Sequence, residues 1–143
     1  MRMFAIAAAL ALVGSVTAAQ AQDRTPSPAG AKVFIISPKN GATVASPVTV
    51  KFGVKGMAVV PAGTKQDNSG HHHLLIDTDP PADLSKPLPA IPDKVVHFGK
   101  AQTETILTLS PGKHTLQLLL GDQNHIAHNP PVISKKITIT VSQ

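Results

Sequence analysis

The chain has 143 residues, of which 42% are hydrophobic, 3% aromatic and 15% charged, with a formal net charge of +5 at neutral pH. This length suits one globular domain, and no apolar run reaches the roughly 18–20 residues of a membrane-spanning helix. The absence of cysteine excludes disulfides and thiolate catalysis, and the absence of Trp and Tyr removes the aromatic platforms on which single-stranded nucleic acids stack. We therefore expect one domain, with no membrane span and no nucleic acid as a partner.

The first 21 residues have the pattern of a signal peptide. Arg2 supplies a positive charge, Phe4–Val13 is an apolar stretch, and Ala19-Gln20-Ala21 is a small-residue cleavage site. We expect cleavage after Ala21 and a periplasmic or secreted location.

The rest of the chain divides into a short leader and a domain. Residues 22–31 contain Pro, Ser and Ala and predict a flexible leader. Residues 32–143 contain short apolar runs separated by Gly, Pro and Asn, which predicts β-strands. The seven candidate strands are Val33–Ile36, Val48–Val54, His71–Asp77, Lys94–Phe98, Gln102–Leu109, His114–Leu120 and Lys135–Val141.

The apolar residues within these runs repeat with a period of two. Val48, Val50 and Phe52 alternate with polar or small residues, and helical periodicity is absent. About seven short strands in this length predict an all-β, immunoglobulin-like sandwich. The residues expected in its core are Val50, Phe52, Leu107, Leu109, Leu116, Leu118, Ile137 and Ile139.

A tight turn is predicted at residues 110–113. Pro111 and Gly112 occupy the two central positions that a type II turn favours. Such a turn would join Gln102–Leu109 and His114–Leu120 as a hairpin, with the leucines of both strands on one face. We therefore expect these two strands to pair with each other.

Histidine is the most informative residue type, because the chain has seven histidines and only four phenylalanines. On a strand, His71 and His73 project to one face and His72 to the other. His125 and His128, in a loop that ends in two prolines, form a second candidate pair. Neutral imidazole is the commonest protein metal ligand, and four such nitrogens suit Cu(II), Ni(II) or Zn(II).

Strand alternation predicts whether the two pairs meet. If consecutive strands run up and down, five histidines lie at one end of the sandwich and His114 lies at the other. The five predicted metal ligands are His71, His73, His97, His125 and His128. Proton competition should weaken such a site as the pH falls through about 6.5. The competing interpretation is a polar strand end and an ordinary turn without metal.

Three segments resemble a family of small exported bacterial proteins known only as a domain of unknown function. They are GHHHLLID at residues 70–77, HFGKAQTE at residues 97–104, and residues 111–141, which include a GDxNHxxHxPP loop. The resemblance implies export and the fold, and it implies no activity, ligand or catalytic residue.

These patterns lead to one main hypothesis for the function. We expect an exported protein that binds copper or zinc through its histidine cluster and that is not an enzyme, because Glu104 is the only Glu and no nucleophile motif is present. The alternative is a metal-free envelope module that binds another protein through sheet edges or loops.

Overall fold

A computed structural model describes residues 23–143. The predicted signal peptide lies outside the described residues. Nine strands and no helix occur within residues 23–143. They are β1 (Lys32–Ser37), β2 (Thr43–Val44), β3 (Val48–Lys55), β4 (Ala58–Val59), β5 (Ser69–Ile76), β6 (Val95–His97), β7 (Glu104–Leu107), β8 (Gly112–Gly121) and β9 (Ile137–Val141).

The strands form two sheets that pack face to face. The smaller sheet has the order β1-β3-β7, and the larger has the order β2-β9-β8-β5-β4, with β6 also paired to β5. Each of the seven predicted runs overlaps one strand, and the two additional strands are only two residues long. The predicted all-β, immunoglobulin-like sandwich is confirmed.

The core lies between the sheets, where the alternating apolar side chains of both sheets meet. From β3 it receives Val50 and Phe52, and from β8 it receives Leu116 and Leu118. Of the other residues predicted in the core, Leu107 and Ile139 are buried, whereas Leu109 and Ile137 are only partly buried against it.

The predicted hairpin at residues 110–113 is wrong. β7 pairs with β3, with Leu107 opposite Val48, whereas β8 pairs with β5 and β9. The turn therefore carries the chain from one sheet to the other. Alternation identifies the apolar side of each strand, but two facing sheets present the same pattern as two paired strands.

The larger sheet is buried on its outer face as well. All eight residues of β5 are buried, and Leu119 of β8 packs with Leu88 and Ala127 from the connecting segments. A strand that is covered on both sides has protected positions on its outer face, where alternate residues of β5 project. The candidate site lies at these positions.

Candidate metal site

Strand β5 presents its three consecutive histidines to two different environments. The ring of His72 faces the sandwich core, where its centroid lies 5.0 Å from that of Phe52. His71 and His73 project to the outer face, and their ring centroids are 4.8 Å apart. The period of two within a strand therefore pairs His71 with His73.

Strand β6 adds a third ring to this face. His97 is the antiparallel register partner of His73, and the two ring centroids are 5.2 Å apart. Gly99 leaves space for the His97 ring, because a Cβ at position 99 would lie 2.6 Å from its Cε1. The pairing of β5 with β6 therefore places His97 beside His73.

The loop after β8 supplies the fourth ring. Gly121 lies opposite His71 in the sheet, and a Cβ at position 121 would lie 2.7 Å from Cε1 of His73. His125 follows with φ of 64°, a left-handed conformation that non-glycine residues seldom adopt. Its N–H donates to the carbonyl of Asp122 at 2.9 Å. This tight loop turns His125 back over β5.

The four rings converge on a common point. Each of His71, His73, His97 and His125 offers one ring nitrogen, and these four nitrogens all lie within 4.8 Å of one another. Nε2 of His71 and Nδ1 of His125 are 3.0 Å apart. In a tetrahedral zinc site with Zn–N bonds of about 2.0–2.1 Å, the nitrogens are about 3.3 Å apart. The pair formed by His71 Nε2 and His125 Nδ1 is already near this spacing.

The electrostatics keep the buried rings neutral. His71 and His73 are each 1% exposed. Burial, followed by the neighbouring histidines, lowers the pKa of His71 to about 4 and that of His73 to about 3. Burial and then His125 also lower the pKa of the more exposed His97. Since only neutral imidazole binds metal, these rings are in the ligating form near neutral pH.

His128 lies apart from this group, unlike the other four predicted ligands. It is fully buried, and its Nε2 donates to the carbonyl of Ser69 at 3.0 Å. A spacing of three places two side chains on one face of a helix, whereas an irregular loop gives them no fixed relation. Here the chain folds back between Gly121 and Ala127, so His125 and His128 point to different neighbours.

Sequence reasoning missed the side chains that hold this loop. The carboxylate of Asp122 accepts hydrogen bonds from the N–H groups of Asn124 at 2.9 Å and Ile126 at 3.0 Å. It also accepts the hydroxyl of Thr25 at 2.6 Å. The Asp-x-Asn pattern is a local signal for such an Asx turn, but Thr25 is 97 residues distant in sequence and has no local signal.

The segment predicted as a flexible leader is attached to the same loop. Thr25 accepts the N–H of Asn129 at 2.9 Å, and Ser27 donates its N–H to the carbonyl of Asn129 at 3.2 Å. Arg24 Nε donates to the carbonyl of Ala127 at 2.9 Å. Residues 24–27 therefore belong to the folded domain, because they pair with a loop that lies far along the chain.

Comparisons with known proteins identify the family of this chain. Within residues 23–143, no helix is long and apolar enough to cross a membrane. No curated protein matches the sequence. A solved structure described as fibronectin(III)-like modules of Clostridium thermocellum CbhA is similar at 14% identity and a TM-score of 0.46, covering 78% of this chain and 96% of that one. The model of DUF4399, a domain of unknown function, matches residues 50–142, so the chain belongs to the DUF4399 family.

Proposed function

We propose that this protein binds one divalent transition metal ion, copper or zinc, through His71, His73, His97 and His125. The observation that carries the proposal is the convergence of four imidazole nitrogens within 4.8 Å. Two of these rings are buried and have lowered pKa values, so metal binding would not have to displace protons from them near neutral pH. An all-nitrogen group of this size suits Cu(II) or Zn(II).

We also propose that the protein holds the metal rather than using it in catalysis. Structural zinc sites are closed by four protein ligands, whereas catalytic sites keep one position open for water or substrate. Four histidines supply a complete tetrahedral set. Storage, buffering or delivery of the ion therefore fits this group better than turnover.

We further propose that binding takes place after export, in the periplasm or outside the cell. The support is the sequence pattern of residues 1–21, with Arg2, the apolar stretch Phe4–Val13 and Ala19-Gln20-Ala21. A site made only of histidine also needs no reduced thiol, which suits an oxidising compartment.

Titration of Cu(II) and Zn(II) into tag-free, metal-free protein at pH 7.5 tests the site. We expect one ion per chain, and nitrogen hyperfine structure in the Cu(II) electron paramagnetic resonance spectrum. His97→Ala and His125→Asn should weaken binding at least 10-fold, since they remove a ligand; changes in outer-shell partners alone cost about 10- to 100-fold. Asn is chosen at position 125 because it tolerates the left-handed conformation.

His114→Gln is the matched control, because His114 contacts Asp77 and Ser110 and is not a member of the cluster. It should bind metal as the wild type does. Wild-type affinity in both ligand variants, or no binding by the wild type, would contradict the proposed site.

The second candidate function is a metal-free envelope module that binds another protein. Apolar side chains on the two edge strands of the smaller sheet favour it: Phe34 and Ile36 on β1 are 37% and 43% exposed, and Ile106 on β7 is 69% exposed. Free sheet edges with apolar side chains can accept a partner strand. Failure of the metal titration would make this candidate the better explanation.

A further inference from the structure

Residues 24–27, here called the N-terminal strap, lie along the loop that carries His125. The backbone of the strap pairs with Asn129 in both directions. Arg24 donates through its guanidinium to the carbonyls of Ala127 and His128. Thr25 donates its hydroxyl to Asp122 at 2.6 Å. The strap therefore contacts this loop at Asp122 and again at residues 127–129. The two segments are about a hundred residues apart in the sequence.

Asp122 connects the strap to the histidine. It is 4% exposed, and it is the only buried carboxylate among residues 23–143. One carboxylate oxygen accepts the N–H groups of Asn124 and Ile126, the two neighbours of His125, and the other accepts the Thr25 hydroxyl. The backbone of Asp122 also exchanges hydrogen bonds with His125 and Ile126. Charged, buried hydrogen bonds of this kind are the stronger ones in proteins.

The conformation of His125 needs such support. Its φ of 64° places it in a region that is unfavourable for a residue with a side chain, and such conformations persist only where surrounding contacts impose them. A loop freed from Asp122 would relax toward ordinary backbone angles. Its imidazole would then leave the position 3.0 Å from His71.

We propose that Thr25 and Arg24 are positioning residues for the metal site and act through Asp122 and the loop to hold His125 in its ligating position. This inference rests on the proposed metal binding. Metal affinity then depends on two side chains that do not touch the metal.

The test compares three changes in the strap. Thr25→Val removes the hydroxyl and keeps the shape, whereas Thr25→Ser keeps the hydroxyl. Ser27→Ala is the matched control, because it removes a hydroxyl that bonds only the exposed carbonyl of Pro130. We expect Thr25→Val to weaken Cu(II) or Zn(II) binding about 10- to 100-fold, the range found for outer-shell partners. Thr25→Ser and Ser27→Ala should bind as the wild type does.

Amide hydrogen exchange in the metal-free protein provides the second measurement. In Thr25→Val, the amides of Asn124 and Ile126 should exchange faster, while those of β8 stay unchanged. Arg24→Gln provides a second variant if Thr25→Val does not fold, and it should change affinity and exchange in the same direction.

Wild-type affinity and unchanged exchange in Thr25→Val would overturn the inference and leave the proposed function standing, since the wild type would still bind metal. No binding by the wild type would overturn both. The two failures are distinguishable, because the absence of binding by the wild type does not involve a change at residue 25.

Discussion

Protonation at the level of single side chains distinguishes the histidines of this protein. His71 and His73 are enclosed, and their pKa values are lowered to about 4 and about 3 by burial and by neighbouring rings. At the opposite end of the sandwich, His114 contacts the carboxylate of Asp77 at 2.7 Å, and this hydrogen bond raises its pKa. The same residue type is therefore kept neutral at one end and favoured as a cation at the other.

The pH dependence of metal binding follows from this contrast. Protons compete with the metal ion for an unperturbed imidazole near pH 6.5. The sequence alone therefore predicted a loss of metal affinity there. Because burial lowers the pKa of His71, His73 and His97, fewer protons must be displaced as the pH falls through 6.5. We expect affinity for Zn(II) to fall only moderately between pH 7 and 6 and steeply below about 5. Competition titrations from pH 7.5 to 4.5 measure this affinity. A steep loss of affinity that begins at pH 6.5, about tenfold per ligand for each pH unit, would contradict the expectation.

At the level of strands and loops, the site and the core depend on different residues. Two glycines leave space for the histidine rings of the site, whereas the inward faces of the strands form the core. Gly99 lies beneath the His97 ring and Gly121 beneath the His73 ring. The alternation of β8 sends Leu118 into the core, whereas Ile106 of β7 points outward and is 69% exposed. Single substitutions can therefore separate the site from the stability of the fold.

Gly99→Ala should damage the site and spare the fold. The three atoms nearest to its new Cβ would belong to the ring of His97, which is exposed and can move away. We expect the free energy of unfolding to change by less than about 0.5 kcal/mol, as at ordinary surface positions, while metal affinity falls because His97 is displaced. Chemical denaturation and metal titration on the same sample check both parts. Unchanged affinity would mean that His97 is not a ligand.

Leu118→Ala should destabilise the sandwich. Its side chain is fully buried between the sheets, and large-to-small substitutions at such positions cost about 2–5 kcal/mol. Ile106→Ala is the control, and at its exposed position we expect a change below about 0.5 kcal/mol. Urea denaturation of both variants measures the difference. Similar values for the two would contradict the assignment of the faces of β7 and β8.

For the whole molecule, the cluster makes the metal-free fold sensitive to acid. His71, His72 and His73 are buried with pKa values lowered from 6.5 to about 4, about 4 and about 3. Between pH 6.5 and about 4 the unfolded chain takes up protons at these positions and the folded chain does not. Their contribution to stability is therefore fully present above pH 6.5 and is lost as the pH falls toward 4. The Asp77–His114 pair acts in the opposite sense, with stability present below pH 6.5 and lost as the pH rises through the raised pKa of His114.

We expect the free energy of unfolding of the metal-free protein to fall by about 1 kcal/mol per buried histidine, or about 3 kcal/mol in all, between pH 6.5 and 5.5. His72→Leu tests the cause, since neither ring nitrogen of His72 has a hydrogen-bond partner. Leu at this position should reduce the pH slope by about a third and raise stability at pH 5.5, because an unpaired buried polar group is removed. Denaturation curves at both pH values measure the slope. An equal slope in wild type and variant would contradict this account.

The local sequence pattern was sufficient to predict the strands and part of the candidate metal site. The period of two identified the strands, the separation of His72 from His71 and His73, and six of the eight residues assigned to the core as buried. The end of the sandwich at which the histidines gather followed from strand alternation alone. The pattern did not predict which strands pair, because β7 satisfies the same apolar pattern against β3 as it would against β8.

Periodicity and composition are local properties, and they were enough to predict a β-sandwich and the concentration of histidine in two segments. Which histidines meet depends on how the strands and loops pack. His97 joins the group through the register of β6 on β5, and His128 leaves it to bond Ser69. Thr25 reaches Asp122 across 97 residues. Such contacts depend on how the whole chain packs, so the spacing of residues along the sequence does not predict them.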